Sequence, residues 1–600
     1  MGFLKGVMTI KRKPKTLHQR SLWPQAARVF LLVVMAAGSC FAGTRVTMNE
    51  ADGTTPGRPK LARDLRAGNR GALIDVIVQF RSTPRTAHFS RMASRGAVLR
   101  SKLPGIRAAS FRLPASAIAA LENDPDVLYV TPDRKVQLTS NNNEDFVAPV
   151  LADVAAQQYG ADGTGVAVAV IDSGVSDHQD LKKTGTGARV VYSESFVAGD
   201  TSTNDAYGHG THVAGIVAGN GAASATGSSG YSSKFAGMAP GANIVNLRVL
   251  DSTGSGTDSQ VVSAIQRAIQ LKNQYNIRVI NLSLGRPVFE SYTLDPLCQA
   301  VEQAWQAGIV VVVAAGNSGR DNTHGTHGYA TIGAPGNDPS VITVGATRTM
   351  GSVSRNDDSI ASYSSKGPTL IDHIAKPDIV APGNRVVSLL AKGSTIDVKN
   401  PLLELVPSSV LCLVNCSAKY LRLSGTSMAT PVVSGAVAMM LDNDPTLTPD
   451  TVKARLMKTA WKGFSTYSRS YDNYSNPYDN QYDVFTYGAG YLDVAAAMVS
   501  TDVANGVALS PTAVLNSANG TVSLVNTNSV IWGNSVIWGN SVIWGNSVIW
   551  GNSIGANSVI WGNSVVWGNT LDQGCSVIWG SSVIWGNSVG AFSDGLDGED

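Results

Sequence analysis

Between Val166 and Ile171 the chain strings together six apolar residues, Val166-Ala167-Val168-Ala169-Val170-Ile171, and then stops abruptly at Asp172-Ser173-Gly174. A run of that length without polar alternation needs cover on both faces, which marks a buried parallel strand rather than a half-solvated one. The stretch Val311-Val312-Val313-Ala314-Ala315-Gly316-Asn317 follows the same plan and ends in a polar amide. Two such strands point to an α/β domain whose strand ends carry an acid and an amide.

Two further segments carry a hydroxyl and an imidazole where they suit catalysis. Gly425-Thr426-Ser427-Met428-Ala429-Thr430-Pro431 runs into the mostly apolar Val432 to Leu441, so Ser427 falls at the mouth of a buried helix. Helix N-termini offer free backbone N–H groups and a partial positive charge. Gly208-His209-Gly210-Thr211-His212-Val213-Ala214-Gly215-Ile216-Val217 puts an imidazole ahead of a helix of small residues that can pack close to a sheet. A serine hydroxyl attacks poorly at neutral pH and needs a general base with an orienting carboxylate. Asp172, His209 and Ser427 supply that set. Asn317 can donate amide hydrogens to a developing oxyanion beside the Ser427 backbone N–H.

In the chain order Asp, His, Asn, Ser, these segments resemble the subtilisin family of serine endopeptidases. The resemblance runs from about Asn141 to about Ser500 and takes in Gly237-Met238-Ala239-Pro240-Gly241-Ala242, Asn281-Leu282-Ser283-Leu284-Gly285, Val341-Ile342-Thr343-Val344-Gly345-Ala346 and Lys376-Pro377-Asp378-Ile379-Val380-Ala381-Pro382-Gly383. It implies a mostly parallel, doubly wound sheet with helices on both faces. It also implies a hydrolase that cuts polypeptides through an acyl-enzyme. His212, a helical turn from His209, reads as structural. His324-Gly325-Thr326-His327 repeats the tetrapeptide at His209, but it leads into the loop pattern Thr331-Ile332-Gly333-Ala334-Pro335-Gly336 and reads as surface loop.

The same resemblance indicates where substrate lies. Gly254-Ser255-Gly256 resembles an edge segment that pairs with an extended peptide, which is recognition by strand addition. Ser283, Leu284 and Gly285 form the opposite wall. Gly333 matches the base of the first specificity pocket, and with no acid nearby the expectation is a large apolar residue before the scissile bond. Asp180 matches a position that contributes to calcium binding in the family, yet the loop Asn220 to Lys234 is rich in Gly and Ser and has no carboxylate. No cofactor is required, and calcium is the one structural ion the resemblance admits.

Outside that region the chain reads as an exported precursor. Residues 1–42 hold seven Lys or Arg and no acid, with the apolar run Val29 to Ala37 too short to span a bilayer of about 30 Å. This is a signal-peptide pattern with a cut near Gly43, or alternatively a lipidated Cys40. Residues 43–140 resemble the family's small α+β inhibitory propeptide, with strands over Ile74 to Phe80, Ala108 to Leu113 and Val127 to Thr131. A basic helix is expected over Ser90 to Ser101 and a second helix over Pro114 to Glu122. This region has 16 Lys or Arg against 8 Asp or Glu, whereas the chain from Asn141 onward has 24 against 36. Opposite charge would steer a basic propeptide onto an acidic enzyme. A first cut after Leu138 is expected, and nucleic-acid binding has no support.

The expected organisation is a catalytic domain over 141–505, a linker over 506–528, a repeat tail over 529–589 and a flexible end over 590–600. Cys412 and Cys416 are spaced for a disulfide or stand as two free thiols, Cys298 reads as buried, and Asn384 to Lys419 reads as a surface insertion near the active site. The tail repeats Ser-Val-Ile-Trp-Gly-Asn in six perfect copies and contains eight tryptophans. Turns every six residues favour a short parallel β-helix. It is open to four roles: a self-stacking cap, attachment to a cell surface or glycan, self-association, or an export signal. A rival reading of the whole chain follows, in which the tail makes it a surface adhesin or assembly protein and the protease fold is a carrier.

Overall fold

The computed structural model describes residues 60–62, 65, 73–137, 142–144, 146–183, 187–225, 231, 233–323, 325–407, 417–472, 476–516 and 521–525. The leader, the expected first cut, Cys40, Cys412, Cys416, Cys575 and the hexapeptide tail lie outside these residues.

The N-terminal part contains β1 (Leu73–Phe80), α1 (Thr86–Ser94), β2 (Val98–Leu103), β3 (Ala108–Pro114), α2 (Ile118–Glu122) and β4 (Val127–Pro132). Its antiparallel sheet has the order β2-β3-β1-β4. Alternation along β1 sends Val76, Val78 and Phe80 into a core with Met92, Phe111, Leu113, Leu121 and Val130. The helix expected over Ser90 to Ser101 is displaced. Helix α1 ends at Ser94, Gly96 takes φ +80°, and the chain returns as β2. Arg100, one of the basic residues within that expected helix, lies instead on an edge strand, where charged residues are well tolerated.

After β5 (Lys135–Gln137), β6 (Asn142–Glu144) and α3 (Ala152–Tyr159) comes the main sheet. Its elements in chain order are β7 (Ala167–Asp172), β8 (Val190–Ser195), α4 (His209–Ala218), β9 (Asn243–Arg248), β10 (Ser255–Thr257), α5 (Asp258–Tyr275), β11 (Ile277–Leu282), α6 (Pro296–Gln306), β12 (Val310–Ala314), β13 (Ile342–Arg348), β14 (Ser359–Ile360) and β15 (Ile379–Pro382). The eight strands run β14-β13-β12-β11-β7-β9-β8, with β15 also on β13, and every pairing but β13 to β14 is parallel. Every residue of β7 and β12 is buried, as continuous apolar runs require when helices cover both faces. Helices α5 and α6 pack on one face; α4 and a later helix, α8 (below), pack on the other.

The chain continues through β16 (Arg385–Leu389), α7 (Thr395–Lys399), β17 (Glu404–Leu405), β18 (Tyr420–Leu423), α8 (Thr426–Asn443), α9 (Pro449–Thr459), β19 (Tyr467–Tyr471), β20 (Pro477–Gln481), α10 (Val484–Tyr487), α11 (Val494–Val499), β21 (Thr512–Asn516) and β22 (Thr521–Val525). The segment expected as a surface insertion is partly core. Strand β16 pairs with β18 and β6, and Val386, Leu389, Leu390 and Ile396 are buried. Residues 506–528, expected as a linker, carry the hairpin β21–β22 and a buried anchor. Lys453 Nζ donates to Ser510 Oγ at 2.9 Å and to the Val341 carbonyl at 3.0 Å, while Ala375 N donates to the Pro511 carbonyl at 2.7 Å. Cys298 is buried, its thiol donating to Asn337 Oδ1 at 3.2 Å, and burial pushes its pKa up. Among the described residues no helix is long and apolar enough to cross a membrane.

Candidate active site

Strand β7 delivers Asp172 at its carboxyl end, and α4 opens on His209 directly above it. His209 Nδ1 lies 2.9 Å from Asp172 Oδ1 and 3.1 Å from Oδ2, with both side chains buried. A carboxylate accepts, so Nδ1 carries the hydrogen and Nε2 presents its lone pair. That Nε2 has no hydrogen-bond partner among the described residues. The close fit of α4 to the end of β7 depends on Gly210, where an added Cβ would stand 2.2 Å from the Gly174 carbonyl.

The sequence reading missed Asp205. Buried beside the pair, it accepts from Gly208 N at 2.6 Å, Thr211 N at 2.7 Å and Ser173 Oγ at 2.8 Å. It thereby satisfies the start of α4 and fixes the residue after Asp172. Burial pushes its pKa up against those hydrogen bonds. An acid just ahead of a helix was the available signal.

Ser427 is the second residue of α8 and is buried at 3% exposure. Its hydroxyl donates to the Ser283 carbonyl at 3.0 Å, and the Ser283 hydroxyl donates back to the Ser427 carbonyl at 2.8 Å. The second bond has a local cause. Pro431, four residues on, has no N–H, so the Ser427 carbonyl lacks its helical donor and Ser283 supplies one. Ser427 Oγ therefore rests on the Ser283 carbonyl, and rotation about its Cα–Cβ bond is what would turn it elsewhere.

Asn317 is oriented by its neighbours. Thr426 N and Thr426 Oγ1 both lie 2.9 Å from Asn317 Oδ1. A backbone N–H only donates, which identifies Oδ1 as the oxygen and makes Nδ2 the donor end of the amide.

Gly254 forms the turn into β10, and β10 pairs antiparallel with β5, setting Ser255 opposite Gln137, Gly256 opposite Val136 and Thr257 opposite Lys135. Ser283, Leu284 and Gly285 follow β11 and are tied to Gly333 by a two-bond bridge, Arg286 N to the Ala334 carbonyl at 3.0 Å and Ala334 N to the Arg286 carbonyl at 2.7 Å. At Gly333 an added Cβ would lie 3.0 Å from the Arg286 carbonyl, too close for comfort. The fold thus brings Asp172, His209, Ser427, Asn317, Ser283, Leu284, Gly285 and Gly333 to the carboxyl ends of the parallel strands, where open α/β sheets hold their ligands.

His212 sits apart from this chemistry. Its Nε2 lies 3.2 Å from the Val386 carbonyl and 3.3 Å from the Leu421 carbonyl, and burial pushes its pKa down to about 3. His327 is exposed on its loop, and His324 lies outside the described residues. Both carboxylate oxygens of Asp180 are engaged within the protein, Oδ1 accepting from Ala223 N at 2.7 Å and Oδ2 from the Tyr420 hydroxyl at 2.6 Å. Among the described residues no three His, Cys, Asp or Glu side chains cluster to hold an ion. Around Asp180 the described residues show no ligand set for calcium.

A serine at the head of a buried helix and a buried Asp–His pair, both at the carboxyl end of one parallel sheet, have the arrangement expected of a subtilisin-type hydrolase. The model of the subtilase family matches residues 163–490, and the chain belongs to that family. It is a subtilisin-like serine protease. It is 41% identical over 300 residues to serine protease AprX of Bacillus subtilis (strain 168), spanning 49% of this chain and 61% of that relative. Subtilisin E of Bacillus subtilis (strain 168) is 32% identical over 437 residues, spanning 72% of this chain and 92% of the relative. An alkaline protease of Shouchella clausii is 34% identical over 351 residues, spanning 58% and 73%.

Proposed function

We propose that this chain is an exported, self-processing endopeptidase in which Asp172, His209, Asn317 and Ser427 perform the chemistry. The observation that carries the reading is the buried Asp172–His209 hydrogen bond, which fixes the tautomer and leaves Nε2 as a base. Ser427 Oγ, turned from Ser283 toward Nε2, gives up its proton to His209 as it attacks the scissile carbonyl carbon. The oxyanion is met by the Ser427 backbone N–H and Asn317 Nδ2. His209 then protonates the departing amine, and water, activated by the same base, hydrolyses the acyl-enzyme. The reaction passes through no metal.

Substrates are extended polypeptides that add a strand to Gly254-Ser255-Gly256 against the wall Ser283-Leu284-Gly285, with a large apolar residue at the pocket floored by Gly333. The chain's own residues 43–140 serve as the intramolecular inhibitor. Pairing of β5 with β10 supports this reading, as does the carboxylate of Asp133, which accepts from Ser259 N at 2.8 Å at the start of α5. The apolar leader supports export, and the repeat tail is a candidate for contact with a cell surface, a glycan or itself.

Intact masses of the secreted wild type and Ser427→Ala test the proposal. The wild type should lose the residues before about Asn141, and the variant should stay whole. Asn317→Ala should still process, but with kcat lowered roughly 10²- to 10³-fold, the size known for the oxyanion-hole amide of a subtilisin. Identical processing of wild type and Ser427→Ala would overturn self-cleavage.

A further inference from the structure

Arg134 stands immediately before β5, the strand laid along β10. Its carbonyl accepts from Asp258 N at 2.8 Å, so the main chain still follows the enzyme's edge at this point. Its guanidinium reaches into the enzyme. Nη1 lies 2.5 Å from Glu290 Oε1, Nη2 lies 2.7 Å from Oε2, and the group stacks 4.6 Å from the Phe289 ring centroid. Arg134 and Glu290 are 7% and 5% exposed. Phe289 and Glu290 belong to the segment that leaves the Ser283-Leu284-Gly285 wall.

The charges beneath this contact are further from balance without it. Arg286 lies 2.9 Å from both Asp258 and Asp295 and 4.0 Å from Glu290, so the enzyme contributes three carboxylates and one guanidinium. Arg134 is the second cation. Once it departs, three carboxylates face one guanidinium in a poorly solvated well, where burial already pushes the pKa of Asp258 up to about 7 and that of Glu290 up, so the well draws in a proton or another cation. The well also favours one kind of cation. A bidentate carboxylate under an aromatic face suits a flat guanidinium better than an ammonium.

We propose that Glu290 and Phe289 form a subsite for arginine in polypeptide substrates. The arginine lies two residues upstream of the substrate residue opposite Gly256, and Arg134 fills the subsite in the precursor. This rests on the proposal that β5 lies in the substrate track. Selectivity then operates well upstream of the scissile bond, in addition to the pocket at Gly333.

The test uses quenched fluorescent peptides copying Thr131 to Asn143, with Arg, Lys or Gln at position 134, cut by the processed enzyme, with casein hydrolysis read in parallel. The Arg peptide should exceed the Gln peptide roughly tenfold or more in kcat/KM, with Lys between them. In Glu290→Gln and Phe289→Ala the Arg-to-Gln ratio should fall toward one. That ratio is taken within each variant, so partial misfolding cancels. Casein turnover with equal or no cleavage of the three peptides overturns the subsite alone. A wild-type ratio that survives Glu290→Gln overturns its assignment to Glu290. Failure on casein overturns the protease reading and the subsite with it.

Discussion

The two folded parts of this chain reach their stability by different routes. The catalytic part buries whole strands between helices, so that β7 and β12 present no residue to solvent. The N-terminal part covers one face of a four-stranded sheet, and its outer residues Leu73 and Val98 stay 67% and 59% exposed. A unit of that size buries a small share of its surface and is marginal alone. It leans on α5 through Asp133 and the Arg134 carbonyl, and on α6 through Gln79, whose Oε1 accepts from Gln299 Nε2 at 3.0 Å. A part proposed to be shed thus draws stability from the surface it must leave.

Acid should expose the contrast most strongly. The pKa of His212 is lowered from 6.5 to about 3 by burial, so below pH 6.5 the unfolded chain binds a proton that the folded chain refuses. Stability is therefore full above pH 6.5 and lost as pH falls toward 3, by about 4–5 kcal/mol from this residue. His178 is lowered in the same direction, also by burial. Urea unfolding of the Ser427→Ala precursor at pH 7, 5 and 4 measures the slope, and His212→Gln should flatten it; an unchanged slope would remove His212 from the account. Next in size, Phe111→Ala should cost the N-terminal core about 3–4 kcal/mol and stop maturation while the main sheet stays protected in hydrogen exchange. A variant that matures at the wild-type rate would show that this core does not need to be intact. Smallest is Asp133→Ala, which removes a helix-terminus acceptor worth about 1 kcal/mol and should speed release of the cleaved N-terminal part about fivefold. Unaltered release kinetics would leave Asp133 outside the docking interaction.

The sheet and the residues at its ends were readable because a parallel strand needs an unbroken apolar run, and its carboxyl end shows as the point where the run breaks at Asp172 or just before Asn317. Asp205 showed only as an acid ahead of α4; its grip on Ser173, 32 residues away, lay beyond any local signal. The Arg134–Glu290 fork joins residues far apart in sequence, beyond any local periodicity. Tyr420 closing Asp180 was illegible for the same reason. The expected helix over Ser90 to Ser101 failed because Gly96 ends it after Arg91 and Arg95, and Arg100 falls on the edge strand beyond.

Pro431 gives the proposed nucleophile, Ser427, an attachment that an unbroken helix would not. In an uninterrupted helix the second residue would be fastened to its own next turn and indifferent to the loops around it. Here the missing N–H hands that fastening to Ser283, a residue of the wall along which the polypeptide is proposed to slide. A displacement of that wall would pull on the main chain under Ser427, so under the proposed mechanism seating the peptide and aligning the attacking oxygen become a single mechanical event.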